Sequence, residues 1–107
     1  MSETPLESTI VVGRIRDAER FEAARKPELF KLWIDLGDRE VQSVAQLGYH
    51  HKPETIVDEQ VLCATGLGVV NIAGFESEVL TVGVPGDDGN PVLVTPEKEV
   101  PLGGLLY

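Results

Sequence analysis

The residues with the most chemical potential in this sequence are few, and they are poorly grouped for catalysis. His50 and His51 are adjacent and Cys63 follows, so nitrogen and sulfur donors are present. Adjacent side chains of an extended chain point apart, and no second cysteine or spaced histidine completes a four-ligand set. Asp87-Asp88-Gly89-Asn90 lacks the ligand spacing and closing glutamate of a calcium loop, and it reads as a hairpin turn. There is no G-x-S-x-G, no P-loop and no CxxC. Cys63 sits in an apolar stretch, where a thiol is expected to be buried and inert. No enzyme activity, metal or cofactor is expected.

Binding is the better prospect. Arg25, Lys26 and Lys31 form the densest group of cations. They suit phosphate contact, or else a solvated loop and a lysine-protected strand edge. Ser43, Ala45 and Gln46 could line a groove, since small residues let a ligand approach a sheet and an amide both donates and accepts. They could equally be ordinary packing beside Val41 and Leu47. Ser77 and Glu78 face opposite sides of a strand. Glu78 shares its side with Leu80 and Val82, as a half-buried carboxylate that either bonds a ligand or pairs with an arginine such as Arg14 or Arg16. Among the aromatics, Phe30 falls on the core face. Trp33 lies opposite it, as a ligand platform or a dimer contact, and Tyr49 is a further candidate for stacking.

These residues sit on short strands. Ile10 to Arg20 begins with β-branched residues and reads as a strand, with a bulge expected at Gly13. Leu29 to Leu36 alternates, with Phe30, Leu32, Ile34 and Leu36 on one face. Glu40 to Leu47 alternates again across the Gly37-Asp38 turn, which predicts a hairpin. Lys52 to Glu59 reads as a two-turn helix, with Pro53 at its first position and Glu54 at the positive end of its dipole. Gln60 to Thr65, Glu76 to Val84 and Pro91 to Thr95 read as strands, and Gly66 to Gly74 as a loop or irregular arm. Five or six short strands with one short helix between the third and fourth predict an all-β protein. A five-stranded OB-fold barrel is the first choice and an SH3-like barrel the second.

The 107 residues fit one domain, 1–107, with a polar lead-in over 1–8 and a tail over 96–107. One cysteine, no apolar leader and no long apolar run point to a reducing, cytoplasmic setting. The net charge of −9 is uneven. Residues 1–53 carry eight basic and nine acidic side chains, whereas residues 54–107 carry Lys98 against nine acids. Acidic surface repels phosphate, so any nucleic acid must be held by the first half. So acidic a surface suits a high-salt cytoplasm or simple solubility.

Several segments in order resemble one family. Ala24-Arg25-Lys26-Pro27 followed by Phe30-Lys31-Leu32 is similar to the A-R-K-P-x-Y-K-L run of the CsaA family, with one extra residue before Phe30. Ile34-Asp35-Leu36-Gly37, Ser43-Val44-Ala45-Gln46, Lys52-Pro53-Glu54, Gln60-Val61-Leu62, Phe75 with Ser77-Glu78-Val79-Leu80 and Gly83, and the ending from Val94 to Gly103 resemble its further elements. The chain therefore resembles a free-standing OB-fold of the tRNA-binding-domain family, close to the CsaA export-related chaperones. That resemblance implies a homodimer, with the tail at its interface, that binds tRNA or other structured RNA. The site it implies comprises Arg25, Lys26, Lys31, Ser43, Ala45, Gln46, Ser77 and Glu78. It also implies a second role in binding unfolded or precursor polypeptides during export. A blander reading is an assembly partner for a larger complex such as a synthetase. Three departures oppose RNA binding. Gly66-Leu67-Gly68-Val69-Val70 replaces a proline-rich arm that ends in a cation, Asp58-Glu59 replaces G-R, and position 76 is glutamate. RNA affinity weaker than in relatives is expected.

Overall fold

A long first strand organises the fold, which is seen in a computed structural model describing residues 9–26 and 28–107. The polar lead-in over 1–8 and Pro27 lie outside the described residues. β1 (Thr9–Arg20) serves two partners. Thr9 to Arg14 pairs antiparallel with β4 (Gln60–Thr65), and Arg14 to Arg20 pairs antiparallel with β2 (Phe30–Asp35). β2 and β4 use opposite edges of β1, and the two ladders overlap only at Arg14. The register with β2 slips between Ile15 and Asp17, which makes Arg16 the extra residue of a bulge. The backbone beyond the helix fixes this kink. The Asp58 N–H donates to the Ile15 carbonyl at 2.8 Å, and the Ile15 N–H donates to the Glu59 carbonyl at 3.0 Å.

The bulge expected at Gly13 is therefore three residues further on. Gly13 pairs in register with Val61. Its glycine answers a packing constraint instead, because a Cβ there would lie 2.6 Å from Ile34 Cγ2 and 2.9 Å from Leu36 Cδ2.

β2 and β3 (Glu40–Ala45) form the hairpin that the alternation predicts. Phe30, Leu32, Ile34 and Leu36 are all buried, as are Val41 and Leu47. With Ile15, Ile56, Val61, Cys63 and Val79 they make one core. The helix is shorter than expected. α1 (Pro53–Ile56) is a single turn whose Pro53 and Ile56 are buried. The chain leaves it extended at Val57, and Asp58 then adopts a left-handed φ of 75°. The two-turn reading of Lys52–Glu59 fails because the backbone of Asp58 and Glu59 is committed to the β1 kink.

The main sheet runs β3-β2-β1-β4-β7, with β7 only Leu80–Thr81. It curls into the OB-like barrel that the sequence predicts. The expected strand Glu76–Val84 is divided among three elements. β6 (Phe75–Ser77) pairs with β5 (Val70–Ile72) in a separate hairpin, which puts a strand inside the stretch read as a loop. β7 pairs with β4, and β8 (Gly83–Pro85) pairs with β9 (Pro91–Leu93).

The tail is built into the barrel. The buried Gln60 side chain donates to the Val100 carbonyl at 2.7 Å and accepts the Val100 N–H at 3.0 Å. Gly103 N–H then donates to Val12 O, Val12 N–H to Gly104 O, and Leu106 N–H to Ile10 O. The tail thus extends the sheet on the edge of β1 that β4 does not use. No helix among the described residues is long and apolar enough to cross a membrane.

The β8–β9 turn spans Gly86 to Asn90, with Gly89 at φ 83° and Gly86 N–H donating to Asn90 O. Two histidines tie this hairpin to the barrel. His50 Nε2 lies 2.9 Å from Asp88 Oδ1, and His51 Nε2 accepts the Leu93 N–H at 3.2 Å. Only an unprotonated Nε2 can accept. Burial, with His50 beside it, lowers the His51 pKa from the ordinary 6.5. The unfolded chain therefore binds the extra proton first, and stability falls as pH drops below about 6.5. The Asp88 carboxyl is held well below the usual range by the Asn90 backbone N–H and then by His50, so its contribution is lost only at much lower pH. Thermal unfolding should show a midpoint some degrees lower at pH 5 than at pH 7.5. His51→Gln, whose amide oxygen can still accept, should flatten that difference, and Asp88→Asn should leave it in place.

Candidate functional site

The seam where the barrel closes holds three of the sequence-predicted site residues. Among the described residues β3 has a strand partner on one edge only, and its other edge meets the segment from Ser77 to Thr81. Glu78 N–H donates to Gln42 O at 2.8 Å, and Glu78 Oε2 accepts the Gln42 N–H at 2.9 Å. Ser77 Oγ accepts the Val44 N–H at 3.0 Å. Ser43 is fully buried, its hydroxyl donating to Val79 O at 3.0 Å and lying 2.8 Å from Thr81 Oγ1. Glu78 thus spends its carboxylate on backbone rather than on Arg14 or Arg16. Arg14 instead donates to Asp58 O at 2.8 Å and is ion-paired with Glu99.

Arg25, Lys26 and Lys31 belong to a different face. The β1–β2 connection starts at buried Phe21, whose N–H donates to Leu29 O at 2.9 Å and closes the loop at its base. One turn of 3-10 helix, Glu22–Ala24, follows. Arg25 ends it in the left-handed conformation at φ 59°, its N–H bonded to Glu22 O. Arg25 and Lys26 are exposed on this compact loop. Lys31 is on β2 and points away from the core. Its ammonium lies 3.0 Å from Glu19 Oε1 and 5.4, 5.5 and 5.8 Å from the ring centroids of Phe21, Phe75 and Trp33. Those rings also touch one another edge to face, Phe21 to Phe75 at 5.7 Å and Trp33 to Phe75 at 5.5 Å.

This group joins β1, β2 and the β5–β6 arm on the outward side of β2. In an OB barrel the surface of the second and third strands, flanked by the loops after strands one and four, is the ligand-binding face. Trp33 and Lys31 were legible as outward residues from the alternation. Phe21 and Phe75 were not recognised as site residues. Phe21 directly precedes the cationic loop and is the signal that was available, whereas Phe75 arrives from a segment 42 residues beyond Trp33 in the chain.

Ala45 and Gln46 lie at a third place. With Val44, Leu47, Leu80 and Val82 they border a groove of about 350 Å³, where β3 and β7 diverge below the seam. Among the three departures, Asp58 and Glu59 are exposed beside the β1 kink, and Glu76 is exposed on β6 next to Phe75. Cys63 is buried in β4, and burial pushes its thiol up to about 12, far from a reactive thiolate.

The arrangement has known counterparts. The family model described as "Putative tRNA binding domain" matches residues 10–104. Methionine–tRNA ligase of Methanococcoides burtonii is 37% identical over 100 residues, covering 92% of this chain and 14% of the ligase. The ligase of Methanocaldococcus jannaschii is 33% identical over 95 residues, covering 89% of this chain and again 14% of the ligase. The chain thus spans about one seventh of the length of these curated relatives. Among solved structures, chaperone CsaA of Bacillus anthracis superposes with a TM-score of 0.86 at 33% identity, over 94% of this chain and 91% of that one. A MetRS-related protein of Pyrococcus horikoshii gives 0.84 at 25% identity, over 94% and 91%. With the family match running from β1 to the tail and the fold shared with chaperone CsaA over 94% of the chain, the chain belongs to the tRNA-binding-domain family.

Proposed function

We propose that this domain binds tRNA through the outward face of β2 and the β1–β2 loop. The observation that carries this reading is the convergence of exposed Arg25 and Lys26 with Lys31 and its three aromatic rings on the ligand-binding side of an OB barrel. Arg25 and Lys26 neutralise phosphates, Lys31 supplies a positioned charge, and Gln46 and Ala45 offer an edge where further backbone can lie. Ser43, Ser77 and Glu78 act from behind, by holding β3 and the arm in register. The acidic second half, with Glu76 beside Phe75, opposes phosphate approach and confines it to this loop.

Labelled total tRNA should bind at low salt and dissociate toward molar salt. Arg25→Ala with Lys26→Ala should weaken binding and reduce the steepness of the log K against log salt plot by up to about two. A folded protein that ignores tRNA at low salt would defeat this reading.

A second reading, polypeptide binding, rests on the arm. Leu67, Val69 and Val70 are each more than half exposed, where the chain enters the β5–β6 hairpin whose Phe75 lies against Lys31. Apolar segments of an unfolded chain would lie there with little dependence on salt. Suppression of aggregation of an unfolded client should persist at molar salt and be lost in Val69→Ser with Val70→Ser.

A homodimer belongs to the same proposal. Tyr107 is fully exposed and Leu105 more than half exposed, beside an apolar groove of about 430 Å³ formed by the tail, Val12 and Leu62. Light scattering at micromolar concentration should give twice the 11.6 kDa chain mass, and Tyr107→Asp should shift the balance toward monomer.

A further inference from the structure

The aromatic group around Lys31 is larger than phosphate binding requires. A phosphate contact needs only a cation, whereas the Lys31 ammonium, ion-paired with Glu19, also has three rings at 5.4–5.8 Å around it. Phe21 is buried and serves as the floor. Trp33 and Phe75 are each half-buried and keep part of their surface open to solvent. They come from β2 and β6, elements whose positions are fixed separately, β2 by the central sheet and β6 by the Val44–Ser77 bond. Two part-open rings held at an interplanar angle of 81° on the ligand face of an OB barrel make a corner. A flat, apolar, electron-rich body fits against one wall and abuts the other.

We propose that Trp33 and Phe75 form a stacking corner for an unpaired nucleobase, so that the domain selects RNA presenting single-stranded bases over fully paired RNA. This rests on the RNA-binding reading above and adds to it the element of RNA that is read. The chemistry is sequence-tolerant, since every base has a stackable face. Lys31, below the corner, adds a cation beside the stacked ring, and the Arg25–Lys26 loop is placed to take the phosphates that flank the base. Paired bases are already stacked on one another and offer a protein only their backbone and groove edges. A perfect duplex would therefore reach the cations without filling the corner.

Trp33 is the sole tryptophan, so its emission reports on the corner without any label or substitution. The unaltered protein is titrated at low salt with three RNAs: folded tRNA, a single-stranded oligoadenylate hexamer and a blunt, fully paired RNA duplex. The tRNA and the hexamer should quench Trp33, and the duplex should bind more weakly and leave the emission unchanged. Phe75→Leu keeps an apolar side chain at the arm and should lower tRNA affinity roughly tenfold or more, with Phe75→Tyr restoring it. Binding of tRNA that leaves Trp33 emission unmoved and is indifferent to Phe75→Leu would overturn the stacking corner while sparing the RNA reading. Quenching by the duplex equal to that by the hexamer would also overturn it. Failure of all three RNAs to bind a folded protein would remove both.

Discussion

β3 would be an open edge if it depended on strands alone. Its inner side pairs with β2, and along its outer side the amides of Gln42 and Val44 need acceptors. An N–H left without an acceptor in a part-buried seam costs about 1–3 kcal/mol. Here the acceptors are side chains, Glu78 Oε2 and Ser77 Oγ, while the buried Ser43 hydroxyl reaches across to Val79 and Thr81. A seam closed by side chains can be short, so β7 needs only two residues. The chain on either side of the seam is then free to leave the barrel, upward into the β5–β6 arm and downward into the β8–β9 hairpin. The arm, and with it Phe75 against Trp33 and Lys31, is where it is because this seam holds.

The second constraint is the bend in β1. The bulge at Arg16 bends the strand, and the backbone groups of Asp58 and Glu59 bond to Ile15 beside it. Gly13 lets the bent strand pass close over Ile34 and Leu36. The free edge left on the first half of β1 is then covered by the tail, which the Gln60 amide pins at Val100. Core, tail and kink form one connected arrangement, whereas the proposed binding face adds the β1–β2 loop and the β5–β6 arm to the outward side of β2.

Charge is distributed to match. The first half of the chain supplies eight of the nine cations, with Arg25 and Lys26 exposed on one loop and Lys31 outward on β2. Asp58, Glu59 and Glu76 are exposed acids that fold structure does not require as anions. They limit how much of the surface a phosphate backbone can approach. What remains is a small cationic face whose centre is aromatic rather than purely charged, in keeping with recognition that leans on stacking as well as on Coulomb attraction.

Much of the barrel was legible in the sequence because alternation is a local property. Phe30, Leu32, Ile34 and Leu36 declare a half-buried strand by themselves, and the Gly86–Asn90 turn is written in its residue types. The family was legible too, from the ordered run of short motifs. Local patterns could not show the four features that depend on distant segments. The bulge fell at Arg16 rather than Gly13, beside Ile15, whose backbone bonds to Asp58 and Glu59 from the far side of the helix. The stretch from Glu76 to Val84 broke into three because the seam, the arm and the second hairpin each claim part of it. Ser43 reads as a groove or packing residue and Glu78 as a half-buried carboxylate for a ligand or an arginine, and only the meeting of β3 with the Ser77–Thr81 segment shows their hydrogen bonds committed to closure. The aromatic corner joins Trp33 of β2 to Phe75 of β6. Composition and order determined the fold class and the family, while the barrel's closure decided which side chains face a ligand, since that depends on which distant segments meet and which polar groups they satisfy.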